Sequence, residues 1–140
     1  MEYKISFCDK HVDDRGYLVE FLKEPELMQE HKMFGQIYFV IFEKPNVVRG
    51  NHYHTRTYEW FGVMHGKLEV ILEDVRTKEH LTLILNSEDK KFVRLYIGPY
   101  IAHAFRNISE TAVLLDYTNR VYDPEDTDRN PYILIENNQK

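Results

Sequence analysis

At 140 residues with 43% apolar side chains, the chain is long enough to bury one hydrophobic core, so a single domain over residues 1–140 is expected. A formal charge of -5 with no offsetting basic block argues against nucleic acid or an anionic membrane as partner. One cysteine, Cys8, leaves no internal disulfide, and without a signal peptide or long apolar span the expected location is the cytoplasm.

Aromatic residues make up 14% of the chain, which favours β structure. Alternating side chains predict strands over 3–8 (YKISFC) and 17–22 (YLVEFL), with Asp13-Asp14-Arg15-Gly16 as a turn between them. The segment 24–32 (EPELMQEHK), with Pro25 in its first turn, is the one short helix the pattern allows. An apolar strand over 36–42 ends at Lys44-Pro45-Asn46. Further strands are predicted at 48–54, 58–64, 67–74, 79–86, 92–97, 101–106 and 111–119, with His65-Gly66 as a hairpin turn. The tail, 123–140, is acidic and turn-rich, and only Tyr132 to Ile135 reads as able to pack. About ten strands with at most one short helix predict an all-β jelly roll with an open mouth for a ligand. An immunoglobulin-like sandwich would hold as many strands but gives no reason for the histidine spacing described next.

The stretch Arg49 to Gly66 reads RGNHYHTRTYEWFGVMHG and sets His52, His54 and Glu59 at H-x-H-x4-E. On a strand, His52 and His54 share a face while Tyr53 points away. Glu59 lies beyond the polar break Thr55-Arg56-Thr57, where a second strand brings its carboxylate beside the imidazoles. A third histidine, His103, follows in GPYIAHAFRN. The four converge only in a closed or strongly curved sheet, and together they suit a divalent first-row metal such as zinc, iron, nickel or copper. Exposed strand histidines beside a solvated Glu59 explain any one of these residues well, but all four together poorly. His11, His31, His65 and His80 fall in turns or polar stretches and read as surface residues, and Cys8 reads as a small buried hydrophobe.

Arg15, Arg49 and Arg56 lie near predicted strand ends, where guanidinium forks can hold a diphosphate; for Arg56 a surface ion pair is an equal reading. Tyr38, Tyr100, Tyr117 and Tyr122 can pack, stack on a base or deliver a proton. Asp116 and Tyr117 end an apolar strand with opposite parity, so only one of them faces the interior.

The run from His52 through Glu59 to Gly66, with His103 and Asn107, resembles the cupin double motif, Gly98-Pro99-Tyr100 standing where Pro-x-Gly is usual. Asp14-Arg15-Gly16, Phe34-Gly35-Gln36, Val48-Arg49-Gly50-x-His52, His103-Ala104-Phe105 and Val121-Tyr122-Asp123-Pro124 further resemble one branch, the nucleotide-sugar-modifying cupins. That branch includes dTDP-4-dehydrorhamnose 3,5-epimerases, dTDP-4-keto-6-deoxyglucose 3,4-ketoisomerases and the C-terminal cupin of bifunctional capsular-polysaccharide enzymes. The resemblance covers 14–124 and implies a double-stranded β-helix, a nucleotide-diphosphate sugar as ligand and a homodimer. It gives Arg15 and Arg49 the diphosphate and sugar, Arg15 reaching into a partner subunit, and Gln36, Tyr38 and Arg56 complete the expected substrate-binding set.

In the 3,5-epimerases the histidine matching His52 is the general base and a late-strand tyrosine is the acid. That tyrosine aligns at Asp116 or Tyr117, so His52, His54, Asp116 and Tyr117 form the candidate catalytic set. The capsular cupins imply zinc on His52, His54, Glu59 and His103; if all four bind metal, the base passes to Tyr117 or Tyr38, whereas catalysis without metal leaves it with His52. The function expected is epimerisation of a nucleotide-linked 4-keto-6-deoxy sugar, at C3, in surface-polysaccharide synthesis. A 3,4-ketoisomerase is the alternative enzyme, and a non-catalytic module binding metal or sugar is the alternative of another class.

Overall fold

A computed structural model describes residues 1–27 and 34–136. In chain order its strands are β1 (Tyr3–Cys8), β2 (His11–Asp13), β3 (Gly16–Leu18), β4 (Gln36–Phe42), β5 (Val48–Tyr53), β6 (Glu59–His65), β7 (Lys67–Asp74), β8 (His80–Asn86), β9 (Phe92–Ile97), β10 (Ile101–Asn107), β11 (Ala112–Thr118) and β12 (Asn130–Pro131). Two five-stranded sheets, ordered β1-β9-β6-β11-β4 and β12-β5-β10-β7-β8, face each other as a cupin jelly roll, and β2 and β3 form a separate ribbon. All pairs are antiparallel, so alternate side chains of each strand point between the sheets.

The alternation places the core and the site on the same inner faces. Leu68, Val70 and Leu72 of β7, Phe61 and Val63 of β6, Leu95 and Ile97 of β9, and Phe105 of β10 are buried there together. Full burial of side chains this size is worth roughly 1.5–3 kcal/mol each, which makes the packed end of the barrel its anchor. Asn107 closes that end: its amide donates to the Lys44 carbonyl at 3.0 Å, and its oxygen accepts from the Ser109 amide at 3.0 Å and hydroxyl at 2.8 Å.

The ten strands expected from the sequence are present, except that the one expected over 17–22 shortens to Gly16–Leu18. Two short strands, β2 and β12, were not expected. Within the segment 24–32, expected as a helix, Glu24–Glu26 form a 3-10 turn, and residues 28–32 lie outside those described. Residues 21–26 are held by tertiary contacts. Arg94, on the outer face of β9, donates to the Phe21 carbonyl and to Glu26, both at 2.7 Å, and so docks the segment as extended chain ending in one turn. Cys8 is half-buried, and burial pushes its thiol pKa up. His11, His65 and His80 are exposed, whereas His31 lies outside the described residues.

Candidate active site

Both sheets contribute to one polar cluster at the open end of the barrel. β5 and β10 bring His52 and His103 directly opposite each other, and His54 follows the end of β5. From the facing sheet come Glu59 at the start of β6, Asp116 of β11 and Tyr38 of β4, the last two paired in register. Tyr53 points outward, stacking on Tyr100 with ring centroids 6.2 Å apart.

A bulge decides what else reaches the cluster. Arg49 and His52 have opposite parity and would face opposite sides of a regular strand. Between them Gly50 (φ 93°) and Asn51 (φ 59°) adopt left-handed backbone, and the β5–β10 register slips so that His52 pairs with His103 but Arg49 pairs with Phe105. Phe105 and His103 both point inward, so Arg49 and His52 line the same cavity. Only glycine fits at position 50, because a Cβ there would lie 2.7 Å from the His103 carbonyl oxygen. The displaced Asn51 accepts the amides of Leu134 (2.9 Å) and Ile135 (3.0 Å), pinning the C-terminal segment that the sequence marked as able to pack.

The histidines are not equivalent. His103 directs Nδ1 to the Ile101 carbonyl at 3.2 Å, and His54 directs Nδ1 to the Asp128 carbonyl at 2.6 Å. With those protons donated, the Nε2 atoms of both rings face Glu59, at 3.2 Å from His54 and 3.5 Å from His103. Two nitrogen lone pairs aimed at a carboxylate repel unless a positive charge lies among them. Burial alone would keep His54 neutral, but the charge and hydrogen bond of Glu59 outweigh it and raise its pKa. Burial likewise pushes Glu59 up, and the neighbouring histidines, His54 foremost, bring it below its ordinary value. The site is therefore built to hold a positive charge, either a proton or a cation.

The donor set also fits a divalent metal. The ligand atoms of His52, His54 and His103 lie within 4.8 Å of one another, and Glu59 Oε2 is buried without a hydrogen-bond partner. Backbone carbonyls orienting Nδ1 are the usual outer support of metal-binding imidazoles. His52 has no such anchor among the described residues; burial, then the neighbouring histidines, lower its pKa to about 3, so its imidazole is neutral. Burial is also the main reason the pKa of His103 falls to about 4.

Across the cavity, Asp116 is buried with neither carboxyl oxygen well hydrogen-bonded. Burial, then the charge of Glu59, raises its pKa well above the usual range, and the Tyr38 hydroxyl opposes that shift without cancelling it. Burial and the Asp116 charge push Tyr38 up too, so this wall of the cavity favours the protonated forms. The cavity holds about 380 Å³ and opens beside a smaller one that shares Tyr38 and Arg129 with it.

The remaining sequence candidates fall at different distances from this cluster. Gln36 lines the smaller cavity, where its side-chain oxygen accepts the Tyr122 amide at 3.3 Å. Arg56 is exposed and pairs with Asp126 at 2.6 Å. Arg15 stands on the turn between β2 and β3, held by Asp13 at 2.6 Å, and lines neither cavity. Tyr117 projects from the opposite face of β11 and packs on Trp60 and Phe34, with centroids 5.2 and 5.9 Å away. The parity of β11 thus gives the interior to Asp116 and takes Tyr117 away from the histidines, so Tyr117 no longer stands among the catalytic candidates.

Two further residues belong to the site, both in the tail. Asp128 (φ 50°) accepts from the Thr55 amide and hydroxyl, the Arg56 amide and the Thr57 hydroxyl at 2.7 to 3.0 Å, while its carbonyl holds His54. Arg129 follows it and lines both cavities. No local pattern marks either residue; the polar triplet 55–57 was the only available sign that something must satisfy its backbone.

Known proteins share this architecture. The chain is 31% identical over 130 residues to the spore coat polysaccharide biosynthesis protein SpsL of Bacillus subtilis, covering 89% of this chain and 83% of that one. It is 28% identical over 126 residues to a TDP-4-oxo-6-deoxy-α-D-glucose 3,4-oxoisomerase of Aneurinibacillus thermoaerophilus, covering 90% and 85%. Among solved structures, a 3,4-ketoisomerase from Helicobacter canadensis superposes with a TM-score of 0.75 at 29% identity over 92% of this chain and 90% of that one. The capsular polysaccharide assembling protein CapF of Staphylococcus aureus superposes with a TM-score of 0.67 at 26% identity over 91% of this chain, which spans only 34% of CapF. The model of the polysaccharide biosynthesis C-terminal domain matches residues 11–130, and the chain belongs to that family.

Proposed function

We propose that the protein epimerises a nucleotide-linked 4-keto-6-deoxy sugar at C3, as a cytoplasmic step in surface-polysaccharide synthesis. One observation carries this reading: His52 faces Asp116 and Tyr38 across one cavity, where burial lowers the pKa of the imidazole and raises those of the carboxyl and the phenol. A C–H bond next to a ketone is acidic enough to break once the resulting enolate is stabilised. His52 takes the C3 proton, the electron pair of that bond moves into the enolate, and Asp116 returns a proton to C3 from the opposite side, inverting it. The negative charge of a bound diphosphate strengthens His52 as a base.

Of the four ligands expected from the sequence, His54, His103 and Glu59 are the proposed holders of a divalent ion, zinc by their chemistry with nickel or iron as alternatives; His52, which stands within reach of the same ion, is assigned to the proton instead. When bound, such an ion acts as a Lewis acid on the keto oxygen. The protein is proposed to work as a homodimer. Ile37, Phe39 and Ile41 on the outer face of edge strand β4 are 60%, 63% and 48% exposed, and Val12, Tyr17 and Leu18 leave the β2–β3 ribbon equally uncovered.

The 3,4-ketoisomerase reading is favoured by the similarity to two such enzymes over most of both chains. Incubation with nucleotide-linked 4-keto-6-deoxy sugars in deuterated water, with and without prior chelation, separates the readings by NMR. Deuterium at C3 with inversion is expected, and a 3-keto product would assign the isomerase instead. Loss of exchange after chelation, restored by zinc, supports the ion. No exchange with any such sugar would turn the assignment to a binding module.

A further inference from the structure

The chain has eight arginines, and their pairing separates them into two groups. Arg15, Arg56, Arg76, Arg94 and Arg106 each have a carboxylate within 4.0 Å: Asp13, Asp126, Asp74, Glu26 and Glu69. Arg49, Arg120 and Arg129 have none among the described residues, and all three line the two neighbouring cavities. Arg49 belongs to the larger cavity, Arg120 to the smaller, and Arg129 to both, so Arg129 stands on the ridge between them.

Arg129 is also held in place. Its guanidinium lies 4.7 Å from the centroid of the Tyr122 ring, a contact that orients the fork while leaving its N–H edge free. The backbone on either side is fixed: Asp128 is bound by the 55–57 loop, and Asn130 and Pro131 pair in register with Tyr53 and His52. The strap carrying Arg129 is thus zipped onto the strand carrying His52. An unneutralised, pre-oriented guanidinium beside a cavity is matched to an anion with two acceptor oxygens.

We propose that Arg129 is a further substrate-binding residue that grips the diphosphate on the ridge, directing the sugar into the cavity of His52 and Asp116. This assignment deepens the nucleotide-sugar reading above and rests on it. It also explains why the chain crosses the mouth of the barrel, a path that otherwise only covers the site.

Calorimetric titration of the full chain with TDP, UDP, the monophosphates and the nucleosides tests it. Arg129→Gln should weaken diphosphate binding by about tenfold to a hundredfold and leave nucleoside binding unchanged, with Arg129→Lys in between. Arg76→Gln, which removes a paired surface arginine, should bind as the wild type does, and unchanged melting of the Arg129 variants shows that the strap is intact. In turnover the Arg129→Gln change should appear in KM rather than kcat. Wild-type diphosphate affinity in Arg129→Gln, with binding weakened in Arg49→Gln, would overturn the assignment and leave the proposed function standing. No binding of any nucleoside diphosphate by the wild type would remove both.

Discussion

A single histidine and a single aspartate show how differently residues can matter at one site. His52 lines the cavity with its ring unanchored, so His52→Ala should abolish deuterium incorporation at C3 with little change in melting temperature, both readable by NMR and thermal denaturation. Arg49→Ala should mainly raise KM. Asp128 contributes through the fold instead. Replacing it by alanine removes four hydrogen bonds to its carboxylate at about 1 kcal/mol each, while the backbone carbonyl that holds His54 remains, so a loss of about 2–4 kcal/mol is expected in chemical denaturation. Burial pushes its carboxyl up, but the bonds from Thr55, Arg56 and Thr57 outweigh this and hold it below the ordinary aspartate value. Its stabilisation is therefore complete above the unfolded-state pKa of about 3.9 and is lost as pH falls through the lower folded value. Melting curves between pH 5 and pH 2.5 should show this loss in the wild type and a flatter profile in Asp128→Asn. The metal-type spacing made the histidines legible in the sequence, whereas Asp128 acts through backbone groups more than seventy residues away in the chain and leaves no local signature.

At the level of elements, hydrophobic alternation located the strands because each has one face in the core. Residues 21–26 dock on Arg94 through the Phe21 carbonyl and the Glu26 carboxylate, contacts that no periodicity announces. The bulge in β5 is the element that composes the site. Gly50→Ala sets a Cβ 2.7 Å from the His103 oxygen at a φ of 93°, so a destabilisation of about 1–3 kcal/mol and weaker substrate binding are expected together. Retained binding at wild-type strength would show that Arg49 does not depend on the bulge. A glycine next to a metal-type histidine was visible in the sequence. Its effect on parity was not, because a bulge is defined by the partner strand's register.

For the whole molecule, the apolar outer face of β4 is the feature that the chain alone leaves unexplained. Phe39→Asp should convert the proposed dimer to a monomer in light scattering or sedimentation, since a charge there would be buried on association. A wild-type protein that is already monomeric would remove the dimer. Among the described residues no helix is long and apolar enough to cross a membrane, in keeping with the absence of any such run in the sequence. The sequence by itself determined the jelly roll and the histidine-glutamate cluster, because side-chain alternation and ligand spacing are local properties of a strand. Only the tertiary structure decided that Asp116 rather than Tyr117 faces the cavity, that Arg49 joins His52, and that Asp128 and Arg129 cross the mouth. Those facts depend on register, bulge and long-range closure, which are settled by contacts between strands and not within them.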